Sequence, residues 1–185
     1  MAIERGDVLS RKSVYRSDLL TGQSVLVSGG GTGIGRGIAM LCGELGARVV
    51  VCGRRLELLE ETCDWLSGAD ISCTAIAANI RVPEEVDALF DAAGPLDVVV
   101  NNAGGQFAQH SIDISDKGWR AVVDTNLNGT WTMMQRAARR WRSDGRSGSI
   151  VNIVIPYVRG MFGLAHAVAA RSGVAFVSRL SLIHI

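Results

Sequence analysis

The chain has 185 residues, enough for one sizeable core, and its 48% hydrophobic and 20% charged residues are ordinary for a globular domain. A formal net charge of +1 gives no long-range reason to seek nucleic acid or an anionic membrane, so neither is expected as a partner. No run nears the roughly 18 apolar residues of a membrane span.

Residues 1–20 form a polar lead-in with scattered charges and no apolar core of a signal peptide, which leads us to expect a cytoplasmic protein. Residues 23–30, "QSVLVSGG", then read as a short apolar strand, and 33–47 as a helix with a glycine near its end. The pattern repeats. "RVVVCG" (48–53) is a buried strand, "LELLEETCDWLS" (56–67) an amphipathic helix, "ISCTAIAANI" (71–80) a third strand, and 83–94 a helix with Pro83 in its first turn. "LDVVVNNAG" (96–104) is a fourth strand, 116–141 one long helix, "GSIVNIVI" (148–155) a fifth strand, and "GLAHAVAARSGVAF" (163–176) a last helix. The basic run Arg139–Arg146 sits where the long helix ends, the end of the macrodipole that favours cations.

Continuous apolar strands alternating with helices imply an α/β fold, a doubly wound parallel sheet of Rossmann type. The expected order is 3-2-1-4-5, with the turns at Gly29–Gly35 and Asn101–Gly105 facing one crevice. One domain is expected over 21–180. The cysteines Cys42, Cys52, Cys63 and Cys73 show no C-x-x-C or Cys/His spacing, so reduced structural thiols and no metal site are expected.

In "VSGGGTGIGRG", Gly29, Gly33 and Gly35 come directly off a strand and open a helix. Without Cβ atoms the backbone bends sharply and approaches a pyrophosphate, whose charge meets amide groups at the helix N-terminus. The second strand ends in Arg54 and Arg55 and not in the carboxylate that would hold ribose hydroxyls. A guanidinium pairs with a 2′-phosphate through charge-assisted bonds, which favours NADP(H); the alternative is a solvated helix entrance.

The glycine turn, "NNAG" at the fourth strand and "DTNLNG" (124–129) together resemble the short-chain dehydrogenase/reductase family over about residues 20–180. By that resemblance Ile34 joins the glycines in the cofactor turn, and Asn102, Ala103 and Gly104 line the adenosine and ribose side. Asn126 kinks its helix beside the active site and helps hold a proton-relay water. Asn79 takes the place of an aspartate near the adenine.

The family's serine, and its tyrosine with a lysine four residues on, are missing: Val154 and Ile155 stand at the first position, Ala167 and Arg171 at the others. "NNAGGQF", "ISDKGWRAVVDTNLNGT", "GSIVNIVIP" and "HAVAARSGV" resemble the branch of peroxisomal trans-2-enoyl-CoA reductases and 2,4-dienoyl-CoA reductases. The resemblance implies an NADP-dependent oxidoreductase that reduces a conjugated carbon-carbon double bond in an acyl-CoA thioester, in fatty acid metabolism. Arg171 replaces the lysine at the nicotinamide ribose, and Tyr157, just after the fifth strand, is the candidate donor to the developing enolate. His166 is the alternative donor; packing is the other reading of both rings. Two further readings stay open: reduction of another carbonyl substrate, and a non-catalytic NADP-binding fragment.

The ending "RLSLIHI" departs from the family pattern and looks like translated adapter sequence. The resemblance therefore implies a C-terminally truncated chain with a non-native tail at 181–185, a homo-oligomer when full length, and an uncovered edge at the fifth strand.

Overall fold

Five short apolar runs can share one parallel sheet only if each is followed by a connection that carries the chain back to the same end, and helices supply that return. The computed structural model describes residues 14–155 and 160–184. Its elements are β1 (Ser24–Ser28), α1 (Gly33–Glu44), β2 (Arg48–Gly53), α2 (Leu56–Ser67), β3 (Cys73–Ala77), α3 (Pro83–Ala93) and β4 (Val98–Asn101). A 3-10 turn (Ser111–Asp113) leads to α4 (Asp116–Val123), a π-helical turn (Asp124–Gly129), α5 (Thr130–Ser143), β5 (Ser149–Asn152) and α6 (Ala165–His184). The sheet order is β3-β2-β1-β4-β5, every pair parallel, as the alternation of elements predicts.

Successive strand side chains point to opposite faces, so the central strands feed two cores. Leu26, Val50 and Val99 pack with Val86, Leu89 and Phe90 of α3 and Met133 and Ala137 of α5. Val25, Val27, Val49, Val51 and Val100 pack on the other face with Ala39 and Met40 of α1 and Leu59 and Leu66 of α2. Each of these larger side chains contributes about 1.5–3 kcal/mol on burial.

The helix over 116–141 is interrupted by a π turn at Asn126, where the resemblance places a kink, because the Asn126 side chain leaves the helix surface to bond the backbone of Gly105. One expectation needs correction. The cysteines are not all free thiols: Cys63 on α2 and Cys73 on β3 form a disulfide, while Cys42 and Cys52 are free. The short return from α2 to β3 brings the two Cα atoms to 5.1 Å, within bonding range, although ten residues of separation carry no recognisable motif.

The basic run does close α5, with Arg140 and Arg142 in its last turn. Its arginines also reach across to α3 and the loop beyond: Arg140 pairs with Asp91 at 2.7 Å and Arg146 with Asp97 at 2.6 Å, one turn on from Arg136 with Asp87 at 2.7 Å. A polar chain fixes α6 on the sheet. Asn101 Nδ2 donates to Asn152 Oδ1 at 2.8 Å, and Asn152 Nδ2 to Ser178 Oγ at 2.8 Å. No helix among the described residues is long and apolar enough to cross a membrane.

Candidate dinucleotide and active site

The turn after β1 begins at Gly29, whose φ of 68° is disfavoured for residues with a side chain. Gly35 faces it from the first turn of α1, and a Cβ there would run into the Gly29 carbonyl and the Asn102 amide. The turn is therefore held from the neighbouring strand as well. Asn102 Nδ2 donates to Ser28 O at 3.0 Å and Gly29 O at 3.3 Å, while the buried Ser28 hydroxyl accepts from the backbone N–H groups of Asn102 and Ala103, each at 3.1 Å.

Behind the turn lies a residue that sequence reasoning passed over. Arg36 is buried on α1, and its guanidinium donates to the carbonyl of Gly31 at 2.5 Å, to Thr62 Oγ1 at 3.0 Å, and to both oxygens of Glu61 at 2.9 and 3.0 Å. It also lies 4.4 Å over the Trp65 ring. Arg36 holds the Glu61 carboxyl below its usual range, chiefly through this hydrogen bond. The signal was present: Arg36 shares one helix face with Ala39, Met40 and Gly43, all buried, so a cation occupies a core-facing position.

The crevice in front of the turn has a volume of about 370 Å³. Gly29, Gly33 and Ile34 form its floor, and Ala78 and Asn79 its wall after β3. Asn102, Ala103 and Gly104 close the β4 side. Arg54 and Arg55 stand exposed on the rim, neither paired with a carboxylate among the described residues. Arg81 and Thr125, also missed, line it too, with Arg81 3.8 Å from Asp124. Cys52 presents an uncharged sulfur, since burial pushes its thiol up to about 12.

At the inner end, α6 and the π turn converge on Gly104. A Cβ on Gly104 would collide with Arg171 Nη2 and approach Asn126 Oδ1 to 2.7 Å. Asn126, fully buried, accepts from Gly105 N–H at 3.0 Å and donates to Gly105 O at 2.9 Å, which clamps this loop. Arg171 is only 6% exposed, donates to Ala103 O at 3.3 Å, and leaves Nη1 without a partner among the described residues. Its burial lowers its pKa. A buried cation with no counter-ion is costly, so this position suits a ligand that brings acceptor oxygens.

His166 is fully buried and does not line the crevice; its Nδ1 accepts from Ala167 N–H at 2.8 Å, its Nε2 has no partner among the described residues, and its ring meets Phe107 edge-on at 4.5 Å. Val154 and Ile155 follow β5 without a hydroxyl, as read from sequence. Tyr157 lies outside the described residues.

The family description "short chain dehydrogenase" matches residues 23–176. A Bacillus subtilis (strain 168) protein named "Probable 2,4-dienoyl-CoA reductase [(2E)-enoyl-CoA-producing]" is 33% identical over 162 residues, covering 85% of this chain and 64% of its own length. The chain thus spans less than two thirds of that relative. The citronellol catabolism dehydrogenase of Pseudomonas aeruginosa PAO1 superposes with a TM-score of 0.86 at 36% identity, over 92% of this chain and 72% of its own. An actinorhodin polyketide ketoreductase solved with NADPH gives 0.80 at 34% identity, over 86% of this chain and 64% of its own.

Proposed function

Because the chain belongs to the short chain dehydrogenase family, we propose that it binds NADP(H) and reduces the conjugated double bond of an enoyl- or dienoyl-CoA thioester. The crevice fits the cofactor: Gly29 and Gly33 leave room for a pyrophosphate with Ile34 beside them, Gly35 lets α1 close on the turn, and Arg54 and Arg55 offer guanidinium groups with no carboxylate partner among the described residues where a 2′-phosphate would lie. Asn79 would face the adenine, and Asn102, Ala103 and Gly104 the ribose side. When bound, the dinucleotide supplies a hydride.

The observation that carries the reading is Arg171, a buried guanidinium whose Nη1 has no partner among the described residues, where the family's lysine would stand. A guanidinium stays protonated and cannot relay a proton, yet its fixed charge suits a reaction that builds negative charge, as hydride addition to an unsaturated thioester does. With Ala167 and Val154 in place of acid-base groups, oxidation of an alcohol lacks its base. Asn126 holds the Gly105 loop beside Arg171, and the Tyr157 hydroxyl is the proposed donor to the enolate. The name of the B. subtilis relative supports the substrate class. The same lack of acid-base groups favours, as the second reading, a module that binds NADP without turnover.

Single-turnover oxidation of bound NADPH by crotonyl-CoA and a 2,4-dienoyl-CoA, followed at the nicotinamide absorbance, separates the two. Loss of the signal is expected, slowed about 10²- to 10³-fold by Tyr157→Phe, the usual effect of removing one oxyanion donor. NADPH that binds and is never oxidised would establish the non-catalytic module.

A further inference from the structure

The proposed chemistry uses no cysteine, yet a disulfide ties α2 to the start of β3, at the other end of that strand from the residues that line the crevice. α2 reaches the glycine turn through its own Thr62 and, indirectly, through Arg36 of α1. The buried Thr62 hydroxyl shares its proton between the carbonyls of Gly30 at 3.1 Å and Leu58 at 3.0 Å, and Arg36, bonded to Thr62 and Glu61 on α2, donates to the carbonyl of Gly31. A shift of α2 therefore moves the turn.

The residue after Thr62 is Cys63, bonded to Cys73 at the start of β3. That strand runs on into Ala78, Asn79 and Ile80, part of the opposite wall of the crevice. One covalent bond thus ties the helix behind the turn to the strand that carries the facing wall. Both cysteine residues are half-buried, and β3 is an edge of the sheet.

We propose that the Cys63–Cys73 bond is a redox-sensitive stay that sets dinucleotide affinity, with Thr62 and Arg36 as positioning residues that carry the placement of α2 to the glycine turn. This rests on the NADP(H) reading of the crevice. In the reducing step a dithiol's thiolate attacks one sulfur and its second thiol releases the mixed disulfide. Two electrons and two protons pass to the protein, and the dithiol leaves as a cyclic disulfide. Freed from β3, α2 spends part of its time displaced, and apparent affinity falls with the fraction of molecules in the competent arrangement. A fraction near one third weakens binding about threefold.

The test is the Kd for NADPH, read from nicotinamide fluorescence, of the oxidised chain and of the same chain in dithiothreitol, with circular dichroism showing both folded at the titration temperature. Reduction should raise Kd about threefold to tenfold, and reoxidation with oxidised glutathione should restore it. Cys63→Ser with Cys73→Ser should give the weaker Kd in both conditions. Thr62→Val should weaken binding by the oxidised chain and shrink its response to the reductant, which a bond serving only global stability would not produce. Equal Kd values in the two redox states overturn the stay and leave the dinucleotide reading standing. A reduced chain that is unfolded at the titration temperature also overturns it as a local device. No NADPH binding in either state removes the dinucleotide reading and the stay together.

Discussion

Arg54 and Arg55 stand on the rim of the crevice with no carboxylate among the described residues to claim them, whereas Arg36, eighteen residues before Arg54, spends its guanidinium inward on Gly31, Thr62 and Glu61. Arg36 builds the turn, whereas the rim arginines are proposed to recognise the cofactor, and burial separates the two. A charge-assisted pair between a rim arginine and a 2′-phosphate contributes about 1.5–3 kcal/mol, so NADPH should bind about tenfold to a hundredfold more tightly than NADH. Replacing both arginines by Ala should erase that preference, as measured by titrating each cofactor. Equal affinities in the unmodified chain would show that the rim arginines are only solvated. His166 keeps both of its readings, since its imidazole is enclosed against Phe107 while Nε2 has no partner among the described residues.

Between elements, α3 and α5 are joined by Asp87–Arg136 and Asp91–Arg140, half-exposed pairs worth little individually. Asp87 has its pKa lowered, first by the hydrogen bond from Arg136. A carboxyl depressed in the folded state contributes stability that is present above its ordinary value of 3.8 and is lost as pH falls through the lower folded value. Urea melts taken at successively lower pH should therefore fall off more steeply for the native chain than for Asp87→Asn. Parallel acid limbs would mean that Arg136 does not perturb Asp87. The α4–α5 pair depends on a different device, the π turn, where Asn126 gives both of its amide groups to Gly105 and thereby holds the loop that carries Gly104 and the approach to Arg171.

Across the whole molecule, the sheet has two exposed margins, β3 and β5. Along β5 no strand among the described residues pairs beyond β4, and Val151 is 47% exposed there. An open apolar edge is a template for pairing with another copy. The chain should self-associate with rising concentration, and Val151→Lys should shift sedimentation profiles toward monomer because a charge on the edge opposes strand addition. A strictly monomeric native chain across the concentration range would refute this.

The sequence by itself determined the element order, the parallel sheet order and the glycine turn, because apolar periodicity and turn chemistry are local and each apolar run needs only its own neighbours to be read. It also placed Gly29, Gly33, Asn102, Ala103 and Gly104 on one crevice, since the topology leaves those turns at the same end of the sheet, whereas Ile34 and Asn79, which line it too, were expected from the family resemblance. What it could not supply were partners fixed by register and crossover geometry. The bond from Cys63 to Cys73 depends on how α2 returns to β3, and the Asn101–Asn152–Ser178 chain on which rungs of β4 and β5 meet. The burial of Arg171 without a counter-ion among the described residues depends on α6 closing over Gly104. Side-chain identity is a property of position in the chain, whereas pairing, burial and unmet hydrogen bonds belong to the packed molecule, and only the tertiary structure decided them.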